Sequence, residues 1–180
     1  MSLIVEKLII YSSLTLGCCY ALDTTMRHNL FVYGTLRRGF YNYDVYLQHA
    51  VENGQAQYVG MATTTSPFAL KLRGDRQIPA LLEQTHNTVP IRGEVYTISD
   101  SVLQAMDLLE GVARGFYYRS SRSVRLDDKK NEKQCWIYLQ EGEENNDPCY
   151  SEYTAELHAR YIPPAAEPDL EILKLLLLKR

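Results

Sequence analysis

Two carboxylates, Asp107 and Glu110, and a glycine-broken apolar run, Leu30–Gly39, are the stretches of this sequence whose residue types could do chemistry. Glu110 falls at the expected C-terminal end of a helix. Aligned peptide dipoles there disfavour a negative charge by roughly 0.3–1 kcal/mol. Partial burial would push the carboxyl pKa further up, toward that of a usable general base. Asp107 shares part of the same helical face, and a second carboxylate nearby would raise the pKa again. The plainer alternative is a pair of solvated acids on an exposed helix end. In Leu30–Gly39, reading LFVYGTLRRG, the residues Leu30 to Tyr33 suit a buried strand. Gly34 then permits either a positive φ or a close backbone approach. A strand ending in such a turn aims several N–H groups one way, which suits an anion or carboxylate. A tight structural turn after a core strand is the competing reading.

Other chemistries find little support. The cysteines Cys18, Cys19, Cys135 and Cys149 form no C-x-x-C, and His28, His49, His86 and His158 are scattered, so no zinc spacing exists and no metal is expected. Cys135 falls in an expected strand with no histidine close in sequence, which favours a buried small hydrophobe over a nucleophile. There is no G-x-S-x-G elbow, Walker loop or G-x-G-x-x-G. A net charge of −3 gives no electrostatic case for a nucleic-acid partner. Fourteen tyrosines suit a half-polar pocket, though sheet cores use them equally well.

The elements that must position these residues follow from the pattern. With 180 residues, 46% of them hydrophobic and 23% charged, the chain has enough material for one globular domain. Phe40–Val51 has helical apolar spacing. Ala56–Met61, Phe68–Leu72, Ala80–Glu83 and Pro90–Ile98 read as strands. The Arg73-Gly74-Asp75 triplet reads as a loop between two of them. Ser99 or Asp100 can cap a helix running to about Glu110, with Val102, Leu103, Met106 and Leu109 on one face and Gly111 as its stop. Tyr117–Leu126 and Gln134–Leu139 flank a polar turn and read as a hairpin. Leu170–Leu178 is helix-like, expected to pack on the domain or on a second subunit.

Residues 1–25 combine Lys7, a diluted apolar run and small residues near Cys19–Ala21, the shape of a secretory signal; Glu6 and the diluting serines oppose that reading. The run is too short and polar for a membrane span. A cytoplasmic location is favoured, with secretion the alternative if residues 1–21 are cleaved. In that case Cys135 and Cys149 would remain to pair in an oxidising compartment.

FVYGTLRRG resembles the opening motif of the gamma-glutamyl cyclotransferase-like family. Gly93-Glu94-Val95-Tyr96 and Met106–Gly111 (MDLLEG) resemble two further signatures. Ile78-Pro79, Phe116–Arg119, Gln134–Trp136 and Arg160-Tyr161-x-Pro163 are similar to family landmarks in the same order, so the likeness covers about residues 29–163. It is closest to the gamma-glutamylamine cyclotransferases. The resemblance implies an α+β fold, a small mixed β-barrel-like sheet with a few packed helices. It places a domain at 26–163, after an N-terminal extension or signal at 1–25 and before a Leu-rich tail at 164–180. It further implies a cofactor-free reaction in which a gamma-glutamyl group closes on its own α-amine to 5-oxoproline, releasing an amine. Glu110 would be the catalytic acid/base, with Tyr33, Gly34, Thr35 and Leu36 holding the glutamyl end and Tyr117 shaping the pocket. A small gamma-glutamyl compound would be the partner. Gamma-glutamyl amino acids or glutathione are alternative substrates, and a non-catalytic gamma-glutamyl-binding protein is the alternative function.

Overall fold

The computed structural model describes residues 26–83, 88–128, 131–142, 147–166 and 168–177. The possible signal segment lies outside them, and with it the choice between cytoplasm and secretion. Among the described residues seven strands carry the architecture: β1 (His28–Val32), β2 (Ala56–Thr64), β3 (Ala69–Arg73), β4 (Ile78–Leu82), β5 (Arg92–Ile98), β6 (Tyr118–Leu126) and β7 (Glu132–Leu139). Five close into a barrel in the order β1-β5-β2-β6-β7, while β3 and β4 form a separate hairpin. The barrel neighbours pair antiparallel except β1 and β7, which close it in parallel with Leu30 opposite Trp136. This is the mixed barrel-like sheet expected.

The uninterrupted apolar run of β1 has a simple cause: both of its faces are covered. Leu30 and Val32 enter one core with the helices, and Phe31 and Tyr33 enter another with Leu70, Leu72 and Leu81 of the β3–β4 hairpin. Arg73-Gly74-Asp75 lies at the turn of that hairpin, as expected, with Gly74 at φ +62°.

Helix α1 (Gln48–Glu52) follows directly on a π-helical segment, Tyr43–Leu47, so the expected helix is present but locally widened and underwound. Helix α2 (Asp100–Leu109) is capped by Ser99, whose hydroxyl accepts from the Val102 N–H at 3.3 Å. Its buried face is Val102, Leu103, Ala105 and Met106. Met106 is fully buried, and Met106→Ala is expected to cost about 2–5 kcal/mol in denaturant unfolding through the cavity it leaves. Helix α3 (Ala155–His158), one turn long and capped by Thr154, is too short to show a period in the sequence. Helix α4 (Leu170–Leu177) lays Ile172 and Leu176 into the same core as α2. Asn53 holds it by donating to the Leu176 carbonyl at 2.9 Å. Among the described residues no helix is long and apolar enough to cross a membrane. Cys135 and Cys149 are free thiols. Burial pushes the Cys135 thiol up to about 12, as suits an inert core residue.

Candidate active site

The turn after β1 is fixed from several sides. The Arg37 N–H donates to the Gly34 carbonyl and the Tyr43 N–H to the Thr35 carbonyl, each at 3.0 Å. The Asn42 side-chain amide donates to the Thr35 hydroxyl at 2.8 Å. Leu36 anchors the far end in the core. The loop's carbonyls are therefore used inward. Among the described residues, the N–H groups of Gly34, Thr35 and Leu36 donate to no backbone carbonyl. That leaves them available to an anion. Gly34 does not have a positive φ; of the two roles open to it, the structure selects close approach. A Cβ there would stand 2.7 Å from Cγ of Pro79. Glu94, from the GEVY motif, buttresses the loop from behind: it is buried, accepts from the Tyr96 hydroxyl at 2.8 Å, and accepts from the Arg38 N–H at 3.2 Å.

Glu110 is the C-cap of α2, and Gly111 follows in the left-handed region at φ +63°. The chain can thus leave the helix at Glu110 and turn its side chain into the interior. The carboxyl is partly buried and accepts no hydrogen bond among the described residues. Burial alone raises its pKa to about 7. The expectation that Asp107 would raise it further is corrected. Asp107 accepts from Arg119 Nη1 and from the Tyr138 hydroxyl, both at 2.7 Å, so its charge is compensated locally and adds nothing to Glu110.

Glu110, Tyr33, Gly34, Thr35, Leu36 and Tyr117 all line one cavity of about 520 Å³. The structure therefore brings these six residues to a single place, while Asp107, also singled out in the sequence, does not line it. Tyr117 donates to the Pro79 carbonyl at 3.2 Å, and Tyr33 to the Tyr138 carbonyl at 2.9 Å. Tyr117, Tyr138 and Tyr161 share the cavity, and burial pushes all three phenols, and Tyr33, above their ordinary pKa. They remain neutral donors at any working pH. A carboxyl poised near neutrality, neutral phenols and unpaired backbone N–H groups can orient a small zwitterion and shuttle one proton.

Sequence reasoning missed several lining residues. Tyr138 sits on β7, Arg76 in the β3–β4 turn, and Arg114 on a short 3₁₀ turn, Val112–Arg114. Asn42 would have been legible only as a hydrogen-bonding residue one turn beyond the loop. Pro164, Ala166, Asp169 and Ile172 complete the wall from the tail.

Comparison with known proteins agrees with this geometry. The family model described as gamma-glutamyl cyclotransferase, AIG2-like, matches residues 30–155, a span that includes the loop, Glu110 and Tyr117. The gamma-glutamylaminecyclotransferase of Bos taurus is 33% identical over 109 residues, 61% of this chain and 63% of that protein, under two thirds of the relative's length. That of Mus musculus is 31% identical over 116 residues, covering 61% and 76% of the two chains. The crystal structure of a mouse AIG2-like protein superposes with a TM-score of 0.65 at 28% identity, covering 78% of this chain and all of that one. With a matching family model over most of its length and the same barrel, the chain belongs to the gamma-glutamyl cyclotransferase, AIG2-like family.

Proposed function

We propose that this protein is a gamma-glutamyl cyclotransferase that releases an amine from a gamma-glutamylamine as 5-oxoproline forms, with Glu110 as the acid/base. The observation that carries the reading is Glu110 itself: a carboxyl without a hydrogen-bond partner among the described residues, with pKa about 7, facing a cavity that the Tyr33–Leu36 loop also lines. The substrate supplies its own nucleophile, so no cofactor or covalent enzyme intermediate is needed. The N–H groups of Gly34, Thr35 and Leu36 hold the glutamyl carboxylate or the developing oxyanion, and Tyr117 shapes the pocket around it. Glu110 takes a proton from the α-ammonium group. The freed electron pair attacks the γ-carbonyl carbon, closing the five-membered ring. The bond from that carbon to the departing nitrogen then breaks, its electron pair going to the nitrogen, which receives the proton from Glu110. The attacking nitrogen loses its second proton as the lactam forms, and the amine departs in its ammonium form.

Incubation with gamma-glutamyl-ε-lysine, gamma-glutamyl amino acids and glutathione tests this reading. Equimolar 5-oxoproline and free amine are the expected products from at least one compound. Tight binding with no product from any of them would instead favour a non-catalytic gamma-glutamyl-binding protein. The pH dependence adds a second check. Glu110 must be ionised to accept the first proton, so kcat/KM is expected to rise with pH and level off above about 7. A profile flat from pH 5 to 8 speaks against a titrating base near neutrality.

A further inference from the structure

Asp107 has no part in the reaction derived above, although it precedes Glu110 by one helical turn. It does not line the cavity, but its hydrogen-bond partner Tyr138 does. Both carboxylate oxygens of Asp107 are engaged: Oδ2 accepts from Arg119 Nη1 and Oδ1 from the Tyr138 hydroxyl, each at 2.7 Å. Arg119 lies opposite Tyr138 in the antiparallel register of β6 and β7, and its guanidinium sits 4.7 Å from the centroid of the Trp136 ring. Two strands and the end of α2 therefore hold one network, Arg119–Asp107–Tyr138, whose last member reaches the cavity.

A phenol has one proton to donate and two lone pairs that accept. Three tyrosines that line the cavity have spent that proton: Tyr33 on the Tyr138 carbonyl, Tyr117 on the Pro79 carbonyl and Tyr138 on Asp107. Toward any further group each oxygen can only accept. Tyr138 differs from the other two because its partner is a carboxylate. Donating to an anion polarises the hydroxyl and makes its oxygen the better acceptor. Its place is also defined. Side chains three apart on a helix are neighbours, about 5–6 Å apart at Cβ, so a hydroxyl docked on Asp107 stands beside Glu110. The Tyr138 phenol registers that neighbour: burial, then Asp107, then Glu110 push it up.

We infer that the Tyr138 hydroxyl oxygen, aimed by Asp107 and Arg119, accepts a hydrogen bond from the α-ammonium group of the gamma-glutamyl substrate and holds that nitrogen against Glu110. This rests on the cyclotransferase reading. The ammonium places one N–H on Glu110 and another on Tyr138. When Glu110 takes its proton, the bond to Tyr138 stays and keeps the freed electron pair directed at the γ-carbonyl carbon. Tyr138 exchanges no proton, and Asp107 and Arg119 are positioning residues. The product lacks the recognised charge, since the nitrogen of 5-oxoproline is a neutral lactam N–H.

Binding is read without turnover in Glu110→Gln protein, by calorimetric titration with gamma-glutamyl-ε-lysine, gamma-glutamyl-L-alanine and glutathione. Each is set beside the glutaryl compound that lacks only the α-amine. In at least one pair the gamma-glutamyl compound is expected to bind about 10- to 100-fold more tightly, as befits a charged hydrogen bond. Adding Tyr138→Phe should bring that ratio to within about threefold of one, with Asp107→Asn intermediate, while 5-oxoproline affinity stays within about threefold in both. A tyrosine serving packing alone would weaken both members of a pair and 5-oxoproline alike, leaving the ratio intact. Should Tyr138→Phe lose 5-oxoproline as well, the ratio in Asp107→Asn decides: a fall supports the assignment and an unchanged value overturns it. No preference for the α-amine in any pair, or a ratio unmoved by Tyr138→Phe, overturns it too, even where the wild-type protein cyclises these compounds. If the wild-type protein releases 5-oxoproline from none of the three, the cyclotransferase reading itself fails and takes this inference with it.

Discussion

Glu110→Gln is expected to lower 5-oxoproline release by about 10²–10⁴-fold, the usual contribution of a positioned general acid–base group. The substitution keeps shape and polarity and removes only the titrating oxygen, so affinity for 5-oxoproline should change little. The same variant should be more stable than wild type at high pH. The sign follows from the shift: the folded carboxyl titrates near 7, against an ordinary value of 4.5. Below pH 4.5 the group is protonated whether folded or unfolded and contributes no difference. Between 4.5 and 7 the unfolded chain releases its proton first, so wild-type stability falls as pH rises and the loss is complete above 7. Glutamine escapes that loss, on the order of 1–3 kcal/mol. Thermal midpoints at pH 8 and pH 4 read this directly, and the expected gain is present at the first and absent at the second. A variant that keeps activity within about tenfold, a difference of about 1.4 kcal/mol, would remove Glu110 from the mechanism.

Gly34→Ala should be nearly as damaging as Gly34→Val, because the obstacle arises at Cβ. With Pro79 Cγ at 2.7 Å, and its ring locked in β4, the loop must retreat to admit even one carbon. That shifts the N–H groups assigned to the substrate, and affinity for 5-oxoproline is expected to fall by about 10- to 100-fold, the loss of one charged hydrogen bond. Gly39 makes the useful contrast. It has φ +80° and nothing within 4 Å of an added Cβ, so Gly39→Ala meets conformational strain only. A stability cost of about 1–2 kcal/mol, with less effect on affinity, is expected there. Thr35→Ala should lie between the two, since it removes the hydroxyl that accepts from Asn42 and leaves the N–H groups in place. Isothermal titration beside thermal melts separates the effects, and unchanged affinity in a folded Gly34→Ala protein would reduce the loop to a structural turn.

What the sequence made legible is local. Leu30–Tyr33 reads as a buried strand because β1 is covered on both faces, and Glu110 stands out because Ser99 and Gly111 mark the two ends of its helix. What it hid is long-range. The parallel closure of β1 on β7 leaves no periodic trace in either strand. Asp107 looked like a partner in acidity for Glu110, since spacing reports a shared face; only the fold shows Arg119 and Tyr138 taking up its charge. Arg76 and Arg114 reach the cavity from turns far apart in the chain, where no spacing rule connects them. The π-helical segment at Tyr43–Leu47 hides within an ordinary helical pattern, and α3 is too short to establish a period. Gly34 marks the end of the apolar run in the sequence, but the group that crowds it, the Pro79 ring, belongs to another strand.

The central claim is that ring closure by the substrate's own amine, not attack by water, cleaves the gamma-glutamyl bond. Turnover of a gamma-glutamylamine in ¹⁸O-labelled water, followed by mass spectrometry of the acid product, tests it most directly. The account predicts 5-oxoproline without label, released in equal amount with the amine. Glutamate carrying ¹⁸O in its γ-carboxyl would mean hydrolysis, and would contradict it.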